Sequence, residues 1–155
     1  MKKVLIIDDE SSAARVIESM LQRYFPRDYL VVGKIQDPQE AIAVLSQTQV
    51  DIVFLDIEMP GQSGFYVLKQ LGKFKFHLVF TTAHKKYAIQ ALKIGAVDYL
   101  LKPIDPIELG GTLNAIRERS KHYSYTSLNL LAINRMSRAQ SLFNSPSIKI
   151  NVLGG

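Results

Sequence analysis

Residues 51–61, DIVFLDIEMPG, hold the key to the fold. Ile52, Val53, Phe54 and Leu55 form an unbroken apolar run, the pattern of a strand buried on both faces. The run breaks off at Asp56, and Glu58 follows two residues on. Met59-Pro60-Gly61 then makes a turn that carries the chain away. Strands buried on both faces belong to parallel sheets covered by helices. An acid at the carboxyl end of such a strand stands where open α/β sheets bind their ligands.

The rest of residues 1–116 repeats the pattern. Val4-Leu5-Ile6-Ile7 is a second such run, followed by Ala13, Val16, Ile17, Met20 and Leu21 at helical spacing. Ser11 or Ser12 is available as N-cap of that helix, and Pro26 lies just past its end. Tyr29–Ile35 reads as a strand, and Asp37-Pro38 opens a helix through Gln47 with an N-cap acid and a proline in the first turn. Asp51–Leu55 is the third strand and Phe65–Leu71 the third helix. Phe76–Thr81 is the fourth strand, and Lys85–Ile94 is a helix stopped by Gly95. Val97–Leu101 is the fifth strand, and Asp105-Pro106 opens the fifth helix. Gly110-Gly111 predicts fraying or a kink there, since each glycine costs a helix about 1 kcal/mol relative to alanine. Five strands alternating with five helices predict a flavodoxin-like, doubly wound parallel sheet of order 2-1-3-4-5.

Composition removes several classes of function. There is no cysteine, so disulfides and thiolate metal sites are excluded. His77, His84 and His122 share no metal-ligand spacing, and His84 reads as an exposed residue at a helix start. Met1-Lys2-Lys3 precedes only four apolar residues, too few for a signal peptide, and no apolar run could span a bilayer. A cytoplasmic protein with no membrane contact is the expectation. The net charge of +5 is uneven: residues 1–116 carry 13 Lys/Arg and 13 Asp/Glu, whereas residues 117–155 carry six cations against Glu118. A basic tail points to a polyanion nearby, or to a solvated linker. Within it, residues 120–147 read as a linker, helical in part or loose throughout. Ile148–Val152 alternates like the first strand of a further domain that is cut short at residue 155.

The strand ends collect chemistry. Asp8-Asp9-Glu10 follow strand one, Asp56 ends strand three, Thr81-Thr82 end strand four and Lys102-Pro103 follow strand five. In the 2-1-3-4-5 order these ends lie side by side. Each has a bland explanation on its own: acids cap helix N-termini, threonines favour strands, and a lysine can simply be solvated. Four successive strand ends are harder to dismiss. Crowded carboxylates repel, and a hard divalent cation such as Mg²⁺, which takes oxygen ligands and bridges to phosphoryl groups, would relieve them. Asp56 could then be a nucleophile toward phosphorus, with Lys102 pairing the phosphoryl oxygens and Thr82 donating a hydrogen bond.

The stretches VLIIDDE, VFLDIEMPGQSGF and VFTTAHKKYAIQALKIGAVDYLLKP resemble the receiver domain of bacterial two-component response regulators over residues 1–119. The resemblance implies Asp56 as phosphoacceptor, served by a sensor histidine kinase. It implies Asp8, Asp9, Asp56 and the Glu58 main-chain carbonyl as Mg²⁺ ligands. It implies Thr82 and Tyr99 as switch residues, Lys102 as the phosphate contact, and a cis Lys102–Pro103 bond. MPGQSGF, YAIQALKIGAVDYLLKPID and IKINVLGG further resemble LytTR-type regulators, whose output is a DNA-binding domain. Transcription control would then pass through a phosphorylation-dependent homodimer, with DNA bound only by that further domain. Such a chain is a phosphoacceptor rather than an enzyme.

Rival readings remain. A haloacid dehalogenase-like Mg²⁺ phosphatase would need an aspartate as general acid where Glu58 stands. A nucleotide-binding flavodoxin-like module would need a glycine-rich loop where Asp8-Asp9-Glu10 stand. A stand-alone receiver acting by protein contact would make no use of the basic tail.

Overall fold

The computed structural model describes residues 1–121; the expected linker from residue 122 onward and the strand-like Ile148–Val152 lie outside the described residues, while Ser120 and Lys121 belong to the fifth helix. Five strands, β1 (Lys2–Ile7), β2 (Tyr29–Ile35), β3 (Ile52–Asp56), β4 (His77–Thr82) and β5 (Asp98–Leu101), form one sheet. Every pairing is parallel and the order is β2-β1-β3-β4-β5, as predicted. Alternation splits each apolar run between the two faces. Val4, Ile6, Ile52, Phe54 and Val79 point to one core with Ile17 and Leu21 of α1 (Ser11–Tyr24) and Leu109 and Leu113 of α5 (Pro106–Lys121). Leu5, Ile7, Val53, Leu55, Leu78 and Phe80 point to the other. There they meet Ala41 of α2 (Pro38–Gln47), Val67 and Leu68 of α3 (Gly64–Leu71) and Ala91 of α4 (Ala88–Ile94). Each valine, leucine, isoleucine or phenylalanine so buried contributes about 1.5–3 kcal/mol, so both faces of every central strand must stay apolar.

The caps follow the sequence with one exception. The Asp37 carboxylate accepts from the Gln39 N–H at 3.2 Å, and the Asp105 carboxylate from the Ile107 N–H at 2.8 Å. The Ser63 hydroxyl accepts from the Tyr66 N–H at 3.2 Å. For α1, neither Ser11 nor Ser12 caps: the N-cap is Glu10, and no side chain caps the helix. The Glu10 carbonyl instead accepts from the N–H groups of Ala13 and Ala14. Helix four starts as a 3₁₀ turn, Lys85–Tyr87, before α4 proper, and Gly95 ends it at φ 91°, a conformation that favours glycine.

The fraying expected of the fifth helix does not occur. Gly110-Gly111 neither ends nor interrupts α5, which runs continuously to Lys121. Buried Leu109, Thr112, Leu113 and Ile116 clamp it to the sheet on both sides of the glycines, so packing outweighs their poor propensity. Among the described residues, no helix is long and apolar enough to cross a membrane.

Candidate functional site

Three of the four strand ends turn away from the sheet by the same local device. Asp8 Oδ1 accepts from the Glu10 N–H at 2.9 Å, Asp56 Oδ1 from the Glu58 N–H at 3.2 Å, and Thr82 Oγ1 from the His84 N–H at 3.1 Å. A short side chain that bonds its own backbone two residues on fixes its rotamer without help from other elements. The fourth end is tied in through main chain, the Lys102 N–H donating to the Thr82 carbonyl at 2.8 Å, and the Lys102–Pro103 bond is cis.

The strand order brings these ends together. One carboxylate oxygen each from Asp8, Asp9 and Asp56 lies within 4.8 Å of the others. Asp8 and Asp56 are 1% and 3% exposed, and Asp9 is half-buried. Lys102 Nζ reaches across from β5, at 2.8 Å from Asp8 Oδ2 and 3.4 Å from Asp56 Oδ2. Thr82 is fully buried on the neighbouring strand. Tyr99, on β5, packs into the core beneath α2–α4, and its hydroxyl is shielded from solvent.

The electrostatics are unbalanced. One ammonium faces three carboxylates, and it sits closer to Asp8 than to Asp56. Burial, and then the charge of Asp8, push Asp56 up to about 7 against the pull of Lys102. Burial works against the Lys102 ammonium, but its hydrogen bond to Asp8 and the charges of Asp56 and Asp8 hold its pKa above the usual value. The donor set is all carboxylate oxygen, without sulfur or imidazole, which suits a hard divalent cation. With all four groups ionised, three carboxylates against one ammonium carry a net charge of −2, so the residues fit Mg²⁺.

Two features were not legible beforehand. Gly64 packs its Cα against the Asp56 main chain: a Cβ there would stand 2.4 Å from the Asp56 carbonyl oxygen. The MPGQSGF turn can fold back on its own strand only without that side chain. Glu58 is also engaged. Its carboxylate accepts from the Tyr87 hydroxyl at 2.5 Å and lies 3.1 Å from the His84 ring. His84 is exposed at a helix start, as expected, yet it bridges two site loops, which spacing of 26 residues could not reveal.

The comparisons agree with this geometry. The chain is 42% identical over 123 residues to the transcriptional regulatory protein BtsR of Escherichia coli K12, covering 78% of this chain and 51% of BtsR. It is 35% identical over 123 residues to the sensory transduction protein LytT of Bacillus cereus, covering 78% of this chain and 49% of LytT. The chain therefore spans about half the length of these curated relatives. Among solved structures it is similar to the REC domain of AraT, a response regulator from Geobacillus stearothermophilus. That match has a TM-score of 0.66 and 28% identity and covers 77% of this chain and 95% of that one. Residues 4–114 match the response regulator receiver domain, and with the acidic pocket at the carboxyl ends of β1 and β3 in place the chain belongs to that family of two-component signalling proteins.

Proposed function

We propose that Asp56 accepts a phosphoryl group from the phosphohistidine of a sensor histidine kinase in the cytoplasm, in a Mg²⁺-dependent step. The observation that carries this reading is the convergence of Asp8, Asp9 and Asp56 within 4.8 Å, with Lys102 facing them. An Asp56 oxygen forms a bond to phosphorus as the bond from phosphorus to the kinase imidazole nitrogen breaks. Asp8, Asp9, Asp56 and the Glu58 main-chain carbonyl would hold Mg²⁺, which supplies neutralising charge when bound. Lys102 pairs with the phosphoryl oxygens, keeping a cation at the place where negative charge accumulates. Thr82 donates its hydroxyl proton to one of those oxygens; among the described residues no acceptor competes for that proton.

The switch follows from the same neighbours. Thr82 and Tyr99 sit on adjacent strands, β4 and β5. Drawing Thr82 toward the phosphoryl group opens space beside β4, and Tyr99 fills it, reshaping the surface formed by α4, β5 and α5. Moving such an equilibrium from 1:99 to 99:1 takes about 5.5 kcal/mol. A phosphoryl group with a lysine and a hydroxyl is on that scale. The altered surface forms a homodimer, which drives a LytTR-type DNA-binding output beginning near residue 148. That last part is supported by the names of LytT and BtsR and by their greater length.

A phosphatase reading fares worse. The carboxylate of Glu58, where a general acid would be needed, is occupied by Tyr87 and His84. The test is treatment with acetyl phosphate and Mg²⁺ followed by mass-spectrometric mapping. The expected product is one phosphoryl group on Asp56, absent in Asp56→Asn. Labelling of Asp56→Asn at the wild-type rate would overturn the assignment.

A further inference from the structure

The parallel topology also sorts charge at the opposite end of the sheet, where the strands begin. Lys2 and Lys3 open β1, Lys73 and Lys75 precede β4, and Arg117, Arg119 and Lys121 fall in the last turns of α5. These segments meet. Ser120 Oγ lies 3.5 Å from the His77 ring at the start of β4, and Lys2, Arg117 and Lys121 line one cleft with Tyr29. On the other face of the sheet, a cleft of about 580 Å³ is lined by Lys3, Lys73 and Lys75 around Phe74 and Phe76, whose rings stack at 4.6 Å. Lys2, Lys3, Lys73, Lys75 and Lys121 are exposed and have no ion-pair partner among the described residues.

The acids at this end are Asp28, Asp51 and Glu118, and Asp51 is turned onto the Lys3 main-chain N–H at 2.7 Å. The helices α1 to α4 end on this side, and each of these termini brings about half a negative charge. Together they offset roughly half of the excess of seven cations over three acids, leaving the end positive. His77 senses this field: burial, then Arg119 and Lys2, push its pKa down against the pull of Asp51.

We propose that this end of the sheet, centred on Lys3, Lys73 and Lys75, is a binding surface for the phosphodiester backbone of duplex DNA. The inference rests on the reading of the chain as part of a DNA-binding regulator. A polyanion suits the site because the cations are spread over both faces of this end of the sheet instead of converging on one pocket. The sequence continues from the same end of α5 with Arg135, Arg138 and Lys149 and no Asp or Glu at all, so the cationic row lengthens along the chain. A receiver lying against DNA through this face would keep its acidic pocket, at the far end of the strands, turned away from the phosphates.

The experiment is fluorescence anisotropy of a short duplex of arbitrary sequence with the 155-residue chain, across a range of salt concentrations. Lys3→Ala/Lys73→Ala/Lys75→Ala should lower the slope of log K against log salt by about 2–3, roughly 0.9 per lost phosphate contact, and weaken low-salt binding by about tenfold or more. Uptake of phosphate by Asp56 from acetyl phosphate should be unchanged and reports that the variant is folded. An unchanged slope overturns the proposal, as does a loss confined to Arg135→Ala/Arg138→Ala/Lys149→Ala. Tighter, equally lysine-dependent binding to phosphatidylserine vesicles would assign the surface to a membrane instead. If the triple variant does not fold, Lys73→Gln/Lys75→Gln replaces it, with an expected slope change of about 2. Lysine-dependent DNA binding by a chain that takes no phosphate on Asp56 would leave this surface standing and remove the receiver mechanism.

Discussion

Asp56→Asn should make the metal-free protein more stable, and by an amount that depends on pH. The Asp56 carboxyl is pushed from 3.8 up to about 7 by burial and by Asp8, so the folded state holds its proton more tightly than the unfolded chain does. Stability is then greatest below the unfolded value and falls as pH rises toward 7, where the loss levels off. The shift sets the scale: relative to strong acid, it costs the fold about 2 kcal/mol at pH 5, where folding must take up a proton, and about 4 kcal/mol at pH 8, where the buried carboxyl must ionise. Asparagine, neutral throughout, escapes that cost. The stability difference between variant and wild type should therefore widen by roughly 2–3 kcal/mol between those two pH values, equivalent to about 10 °C in Tm for a domain of this size. Denaturant or thermal unfolding in EDTA across that range measures it. Adding Mg²⁺ should stabilise the wild type at high pH and leave Asp56→Asn nearly unaffected. Parallel pH profiles for the two proteins would refute the reasoning, because they would mean that Asp56 ionises in the fold as easily as in water.

Mg²⁺ affinity should be about tenfold weaker at pH 6 than at pH 8, because a proton on Asp56 competes with the cation; calorimetric titration at the two pH values checks this. Gly64→Ala places a methyl group where the Asp56 carbonyl lies 2.4 Å away, so backbone must move. A loss of about 1–3 kcal/mol in urea unfolding and slower labelling of Asp56 by acetyl phosphate are expected. Gly111→Ala, in open space on α5, should stabilise by about 1 kcal/mol, and Gly110→Ala should do as well, since its methyl group would meet the Phe25 ring at 3.6 Å, an ordinary contact; thermal melts of the two variants decide.

Much of the site could be read from one dimension. Asp8, Asp9, Asp56, Thr82 and Lys102 each follow or end an apolar run, and a doubly wound order leaves few other places for those run ends to go. The partners of Glu58 could not be read. Tyr87 and His84 reach it from another loop, and nothing in their own neighbourhoods marks them. The start of α1 likewise depends on a contact outside the helix. Ser11 and Ser12 have the right chemistry, but Asp8 bonds the Glu10 N–H and sets the helix to begin one residue earlier than a serine cap requires.

Local pattern alone determined the strands, the helices and their alternation, because hydrophobic period and cap chemistry are written within a few residues of where they act. It determined which residues stand at strand ends. Tertiary structure decided the electrostatic state of that edge: which carboxylate Lys102 favours, how far Asp56 is pushed toward neutrality, and how tightly Gly64 closes behind it. It also decided that α5 passes unbroken through two glycines. These depend on burial and on distances between segments far apart in the chain, and Coulomb and packing energies are functions of separation in space, which residue order does not fix.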